Sequence, residues 1–166
     1  MNSSSINALI AEHEKEFALM LTEALQDILP SCKCVFMPDG IAALRYIKNN
    51  DNPDLVFLNL DMPLKNGINC LKDIYNLKLL PATPVITYAS SANIKDINDA
   101  YEYGAAFYLV KPTTSKELNK IIKRAISLLG QPRSERLTKC NFVLKGVAPS
   151  EPFETNDSYT NWPILN

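Results

Sequence analysis

Short apolar runs alternate with amphipathic stretches along the chain as far as Gly130. Residues 8–11 predict a short buried strand. From 13 to 29, Phe17, Leu21, Ala24, Leu25 and Ile28 recur at helical spacing, and Pro30 ends that helix. Residues 34–37 predict a second strand. Asp39 suits the N-cap of a helix running to Ile47, and the polar cluster 49–53, closed by Pro53, reads as a loop. Residues 55–60 are almost continuously apolar, as a strand covered on both faces would be. A loop with Pro63 and Gly67 leads into a helix ending near Leu77. Residues 85–89, 93–103 and 106–110 predict a strand, a helix and a strand. Thr114 and Glu117 have the spacing of a capping box, and behind them Leu118, Ile121, Ile122, Ala125 and Leu129 form one stripe.

Strict alternation of strand and helix predicts a parallel sheet with helices on both faces, a three-layer α/β/α sandwich. Ligand chemistry in such a sheet gathers beyond the carboxyl ends of the strands. Those ends carry Glu12 and His13, residues 59–61, residues 89–91, and Lys111. After Gly130 the composition changes. Residues 131–166 hold several prolines, many Ser, Thr and Asn, and no sustained period. Phe142, Val143 and Leu144 suit a short strand, and Trp162 is the one large apolar anchor near the end. The chain thus divides into a domain at 1–130 and a largely irregular tail at 131–166. The tail is either a flexible end or an arm that packs on its own domain or on another copy, making a homodimer.

Composition narrows the class. Apolar residues are 46 % and charged residues 21 % of the 166, the balance of an ordinary soluble domain with a sizeable core. A net charge of -1 gives no bulk attraction to nucleic acid or anionic membrane. No apolar run nears the roughly 20 residues of a membrane span, and the first residues lack a signal-peptide pattern. Cysteines stand at 32, 34, 70 and 140. Cys32 and Cys34, two apart in an extended run, point to one face. With no second Cys or His pair, and His13 alone, they read as reduced thiols of a cytoplasmic protein.

Three segments then carry a resemblance: Pro53-Asp54-Leu55-Val56-Phe57-Leu58-Asn59-Leu60-Asp61-Met62-Pro63 with Asn66-Gly67; Pro84-Val85-Ile86-Thr87; and Gly104-Ala105-Ala106-Phe107-Tyr108-Leu109-Val110-Lys111-Pro112. In order and spacing they resemble the receiver domains of bacterial two-component response regulators (CheY-like), over roughly residues 6–129. The resemblance implies a flavodoxin-like (βα)5 fold with a five-stranded parallel sheet of order 2-1-3-4-5. It also implies a chemistry. An aspartate after strand 3 accepts a phosphoryl group, acidic residues after strand 1 hold Mg²⁺, and a Thr or Ser after strand 4 and a Lys after strand 5 bind the phosphoryl oxygens. The hydroxyl's movement is coupled to an aromatic residue on strand 5, which changes the face made by helix 4, strand 5 and helix 5.

At these positions the chain departs from the pattern. The acceptor position holds Asn59, whose amide is uncharged and a very weak nucleophile. The acidic pair is Glu12-His13, and imidazole suits Mg²⁺ poorly. Ala89 takes the hydroxyl position, with Ser90 one residue on. Lys111 and the switch aromatic Tyr108 are retained, and Asp61 stands where the family offers a backbone carbonyl to the metal. Nucleophile, clamp and metal ligand are thus altered together. With Asn59 neutral, Glu12 and Asp61 face Lys111, which is expected to pair with one of them or with the Asn59 amide. No metal is expected; Glu12 and Asp61 are the weak candidates.

The favoured expectation is a degenerate pseudo-receiver. It signals by contact with a histidine kinase or another regulator, through Ile94, Ile97, Tyr101, Tyr103 and Tyr108 on the helix 4–strand 5–helix 5 face. The alternative is a phosphorylated receiver with a non-standard acceptor, Asp61 or Ser90. Catalysis is not expected, since the segment after strand 1 lacks a Gly-rich loop and no nucleophile elbow or metal cluster follows. A basic recognition helix for nucleic acid is also missing.

Overall fold

The computed structural model describes residues 5–49, 52–132 and 139–146. Strands β1 (Asn7–Ala11), β2 (Lys33–Met37), β3 (Leu55–Asn59), β4 (Val85–Ala89) and β5 (Phe107–Val110) alternate with five helices. These are α1 (Lys15–Ile28), α2 (Gly40–Asn49), α3 (Gly67–Asn76), α4 (Ile94–Glu102) and α5 (Ser115–Leu129). Every neighbouring pair of strands is parallel. The order β2-β1-β3-β4-β5 agrees with the expectation, but the count does not. A one-turn helix α6 (Lys139–Phe142) leads into β6 (Val143–Leu144), which joins outside β5 and makes a sixth strand. The reason is physical: β5 would otherwise be a bare edge with unpaired backbone groups, and the apolar run Phe142-Val143-Leu144 covers it.

The period of two along each strand splits the core in two. Leu9, Ala11, Val56 and Leu58 face one helical layer, and Ala8, Ile10, Leu55 and Phe57 face the other. Both faces of β3 and β4 are therefore buried throughout. Cys32 and Cys34 pack on the same cluster, as their spacing predicts. Burial pushes the thiols of Cys32 and Cys70 up to about 12, so neither is a ready nucleophile. The side chain of Cys140, and Trp162 with the rest of 147–166, lie outside the described residues.

Caps set the loops that surround the strand ends. Asp39 Oδ1 accepts from Ala42 N at 2.8 Å, Asn66 Oδ1 from Asn69 N at 2.9 Å, and Asn93 Oδ1 from Lys95 N at 2.9 Å. Thr114 Oγ1 accepts from Glu117 N at 3.3 Å. The stripe of α5 closes on Leu128, which is buried, while Leu129 is only partly so. Gly67 starts α3 hard against the end of β3: a Cβ there would lie 2.1 Å from the Asn59 carbonyl oxygen. Gly67→Ala must therefore push α3 off the sheet. It is expected to cost about 1–3 kcal/mol in urea denaturation, and a loss under about 0.5 kcal/mol would show that the contact relaxes freely.

Candidate functional site

The carboxyl ends of β1, β3, β4 and β5 bring Glu12, Asn59, Ala89 and Lys111 to one end of the sheet, where the sequence placed them. Asn59 is fully buried. Both ends of its amide are used. Nδ2 donates to Glu12 Oε1 at 2.9 Å, and Oδ1 accepts from the backbone N–H of Asp61 at 2.9 Å. The nitrogen is placed on the Glu12 side because a carboxylate can only accept.

The Glu12 side chain has no solvent exposure. Besides Asn59, its Oε1 accepts from Glu14 N at 2.9 Å and lies 3.2 Å from His13 Nδ1. Its Oε2 lies 3.0 Å from Lys111 Nζ, an ion pair without hydrogen-bond alignment. The ammonium gives its hydrogen bond to Glu14 Oε1 at 2.9 Å. That bond, and then the charge, hold the Glu14 carboxyl below its ordinary value. Lys111 thus pairs with Glu12 as expected, but its second partner is Glu14 rather than Asp61 or the Asn59 amide. Aromatic rings complete its surroundings. Its Nζ lies 4.5 Å from the centroid of Phe17 and 5.5 Å from that of Tyr88. Tyr88 is buried, and its hydroxyl donates to the Ala11 carbonyl at 3.2 Å. Burial, then the charge of Glu12, push its phenol well above the ordinary value.

Asp61 and the switch positions form a second group. Asp61 is exposed, and its Oδ2 accepts from Ser90 N at 3.1 Å. A chain of two bonds therefore runs from Asn59 through Asp61 to the loop after β4. Ala89 is buried and Ser90 exposed. Tyr108 is fully buried, and its hydroxyl donates to the Ser91 carbonyl at 2.7 Å, on that same loop. Burial, then Asp96 and Asp61, push its phenol up to about 12.

Of the surface aromatics, Tyr101 meets Phe142 edge-on at 5.3 Å and Tyr103 meets Tyr75 at 5.9 Å. Ile97 is buried and Ile94 exposed. The carboxylates and imidazole of Glu12, His13 and Glu14 also come together, with ligand atoms within 4.8 Å of one another. Sequence reasoning missed Glu14, Phe17 and Tyr88. Glu14 could have been found from its place just beyond the end of β1. Phe17 and Tyr88 carry an ordinary core signal.

The family model described as the response regulator receiver domain matches residues 8–123. The chain belongs to this family. It is a receiver domain of two-component signalling. It is 27% identical over 121 residues to the response regulator Rcp1 of Synechocystis sp., covering 69% of this chain and 82% of the relative. Its fold matches the crystal structure of the phosphorylated cyanobacterial phytochrome response regulator RcpA with a TM-score of 0.67 at 27% identity. That match covers 72% of this chain and 90% of the other. A CheX–CheY–BeF3–Mg complex from Borrelia burgdorferi matches with a TM-score of 0.65 at 25% identity, over 76% of this chain and 90% of the other. No helix among the described residues is long and apolar enough to cross a membrane.

Proposed function

We propose that this receiver domain is a pseudo-receiver: a response-regulator-like module of the cytoplasm that signals by protein contact, without aspartyl phosphorylation and without catalysis of its own. The observation that carries the reading is the buried Asn59 amide, held at both ends by Glu12 and the Asp61 backbone. An amide so placed offers no carboxylate to attack a phosphoryl group. Lys111, the retained phosphate-binding position, is already committed to Glu12 and Glu14. Ala89 brings no hydroxyl. The partner is a histidine kinase or another regulator; the CheX–CheY complex is a relative's example of contact between signalling proteins.

The same groups fit Mg²⁺ poorly. Oxygens of Glu12 and Asp61 already accept from Asn59, Glu14 and Ser90 N–H groups, and an ammonium stands on the remaining Glu12 oxygen. The positive charge that a metal would supply is supplied by Lys111. Calorimetric titration with Mg²⁺ at physiological salt is expected to give no binding tighter than about 1 mM. Tighter binding would sink this part of the reading.

A further inference from the structure

The face formed by α4, β5 and α5 is covered by the chain itself. β6 pairs in parallel with β5 at two positions, Tyr108 with Val143 and Leu109 with Leu144. Phe142 and Leu144 are almost fully buried, one in each half of the core. The Phe142 ring stands edge-on to Tyr101 of α4. Asn141 Oδ1 accepts from Arg124 of α5 at 3.3 Å, and Gly146 lies so close to Glu117 that a Cβ there would sit 3.2 Å from its side chain. Residues 139–146 thus behave as a bound peptide touching all three elements.

The fit is short. β5 has four residues, and β6 meets only the middle two, so Phe107 and Val110 have no partner in the β6 register. A longer strand would pair along the whole edge. Beside it, α5 meets the segment through Glu117 and Arg124, one residue of each charge.

We infer that the outer edge of β5, with Tyr101 of α4 and the adjoining stripe of α5, is a strand-docking site. Residues 139–146 fill it in the free protein. An extended segment of a partner protein, with an aromatic residue followed by two aliphatic residues as in Phe142-Val143-Leu144, displaces them. This rests on the reading of the chain as a protein-contact module. Phosphorylation at the Asn59 pocket would defeat that reading while leaving the peptide result below unaffected.

The test uses the full chain and a fluorescein-labelled peptide of residues 138–147. A tethered segment competes at an effective concentration on the order of mM. The peptide is therefore expected to bind the full-length double variant Phe142→Ala, Leu144→Ala at least about ten-fold more tightly than the unmodified chain. Equal binding, or none to a variant that keeps its cooperative thermal transition, overturns the proposal. Should that variant not fold, hydrogen exchange on the unmodified chain takes its place. With excess peptide, the amides of Val143 and Leu144 should exchange faster while those of β5 stay protected; no change overturns the proposal. A dimer of unmodified chains that buries these residues would assign the edge to a second copy, and also overturns it.

Discussion

Replacing Lys111 by methionine should destabilise the domain by about 3–5 kcal/mol, the usual cost of stranding one member of a buried ion pair. Glu12 carries that cost, because its side chain has no exposure and Lys111 Nζ is the cation on its Oε2. His13 Nδ1, 3.2 Å from the other oxygen, offsets part of it and sets the lower end of the range. Glu14 contributes little, since it is more than half exposed and water can take over its solvation. The second substitution Glu12→Gln should recover most of the loss by removing the stranded charge. Urea denaturation of the two single variants and the double closes the cycle. A loss under about 1 kcal/mol in Lys111→Met would show that Glu12 is solvated by another route.

Restoring the acceptor by Asn59→Asp should also be costly, by about 2–4 kcal/mol at neutral pH. The exchange removes the N–H that Glu12 Oε1 accepts at 2.9 Å and sets two buried carboxylates in contact. Like charges at that distance raise the pKa of the pair. The sign of the pH dependence follows. At low pH the introduced carboxyl is protonated and donates to Glu12 much as the amide does, so variant and parent converge. The penalty grows as pH rises above the ordinary carboxylate range. Thermal melts of both proteins from acid to neutral pH measure it. A penalty unchanged by acid would point to packing rather than charge.

These effects are partly legible in the sequence. The fully buried runs of β3 and β4, and the stripe on α5, follow from apolar periodicity, which tertiary packing here reinforces. So does the gathering of Glu12, Asn59 and Lys111 at the strand ends. The Lys111–Glu14 bond is not legible, because the two residues are 97 apart in sequence and no period links a loop to a strand end. The same holds for the bond from Ser90 N to Asp61, which is the choice of one rotamer in an exposed loop. Phe142, Val143 and Leu144 look strand-like on their own. What they pair with depends on the bare edge of β5, a property of the assembled sheet. On sequence alone Tyr101 suits an interface and packing alike; in the structure its ring stands edge-on to Phe142, a contact that depends on the assembled sheet.

The most direct test of the central claim is incubation with acetyl phosphate and Mg²⁺ followed by intact-mass spectrometry. With Asn59 at the acceptor position and Lys111 tied to Glu12 and Glu14, no phosphoryl group should be gained. A stoichiometric gain of one phosphoryl group would contradict the account, and peptide mapping would then have to show whether Asp61, Ser90 or another residue carries it.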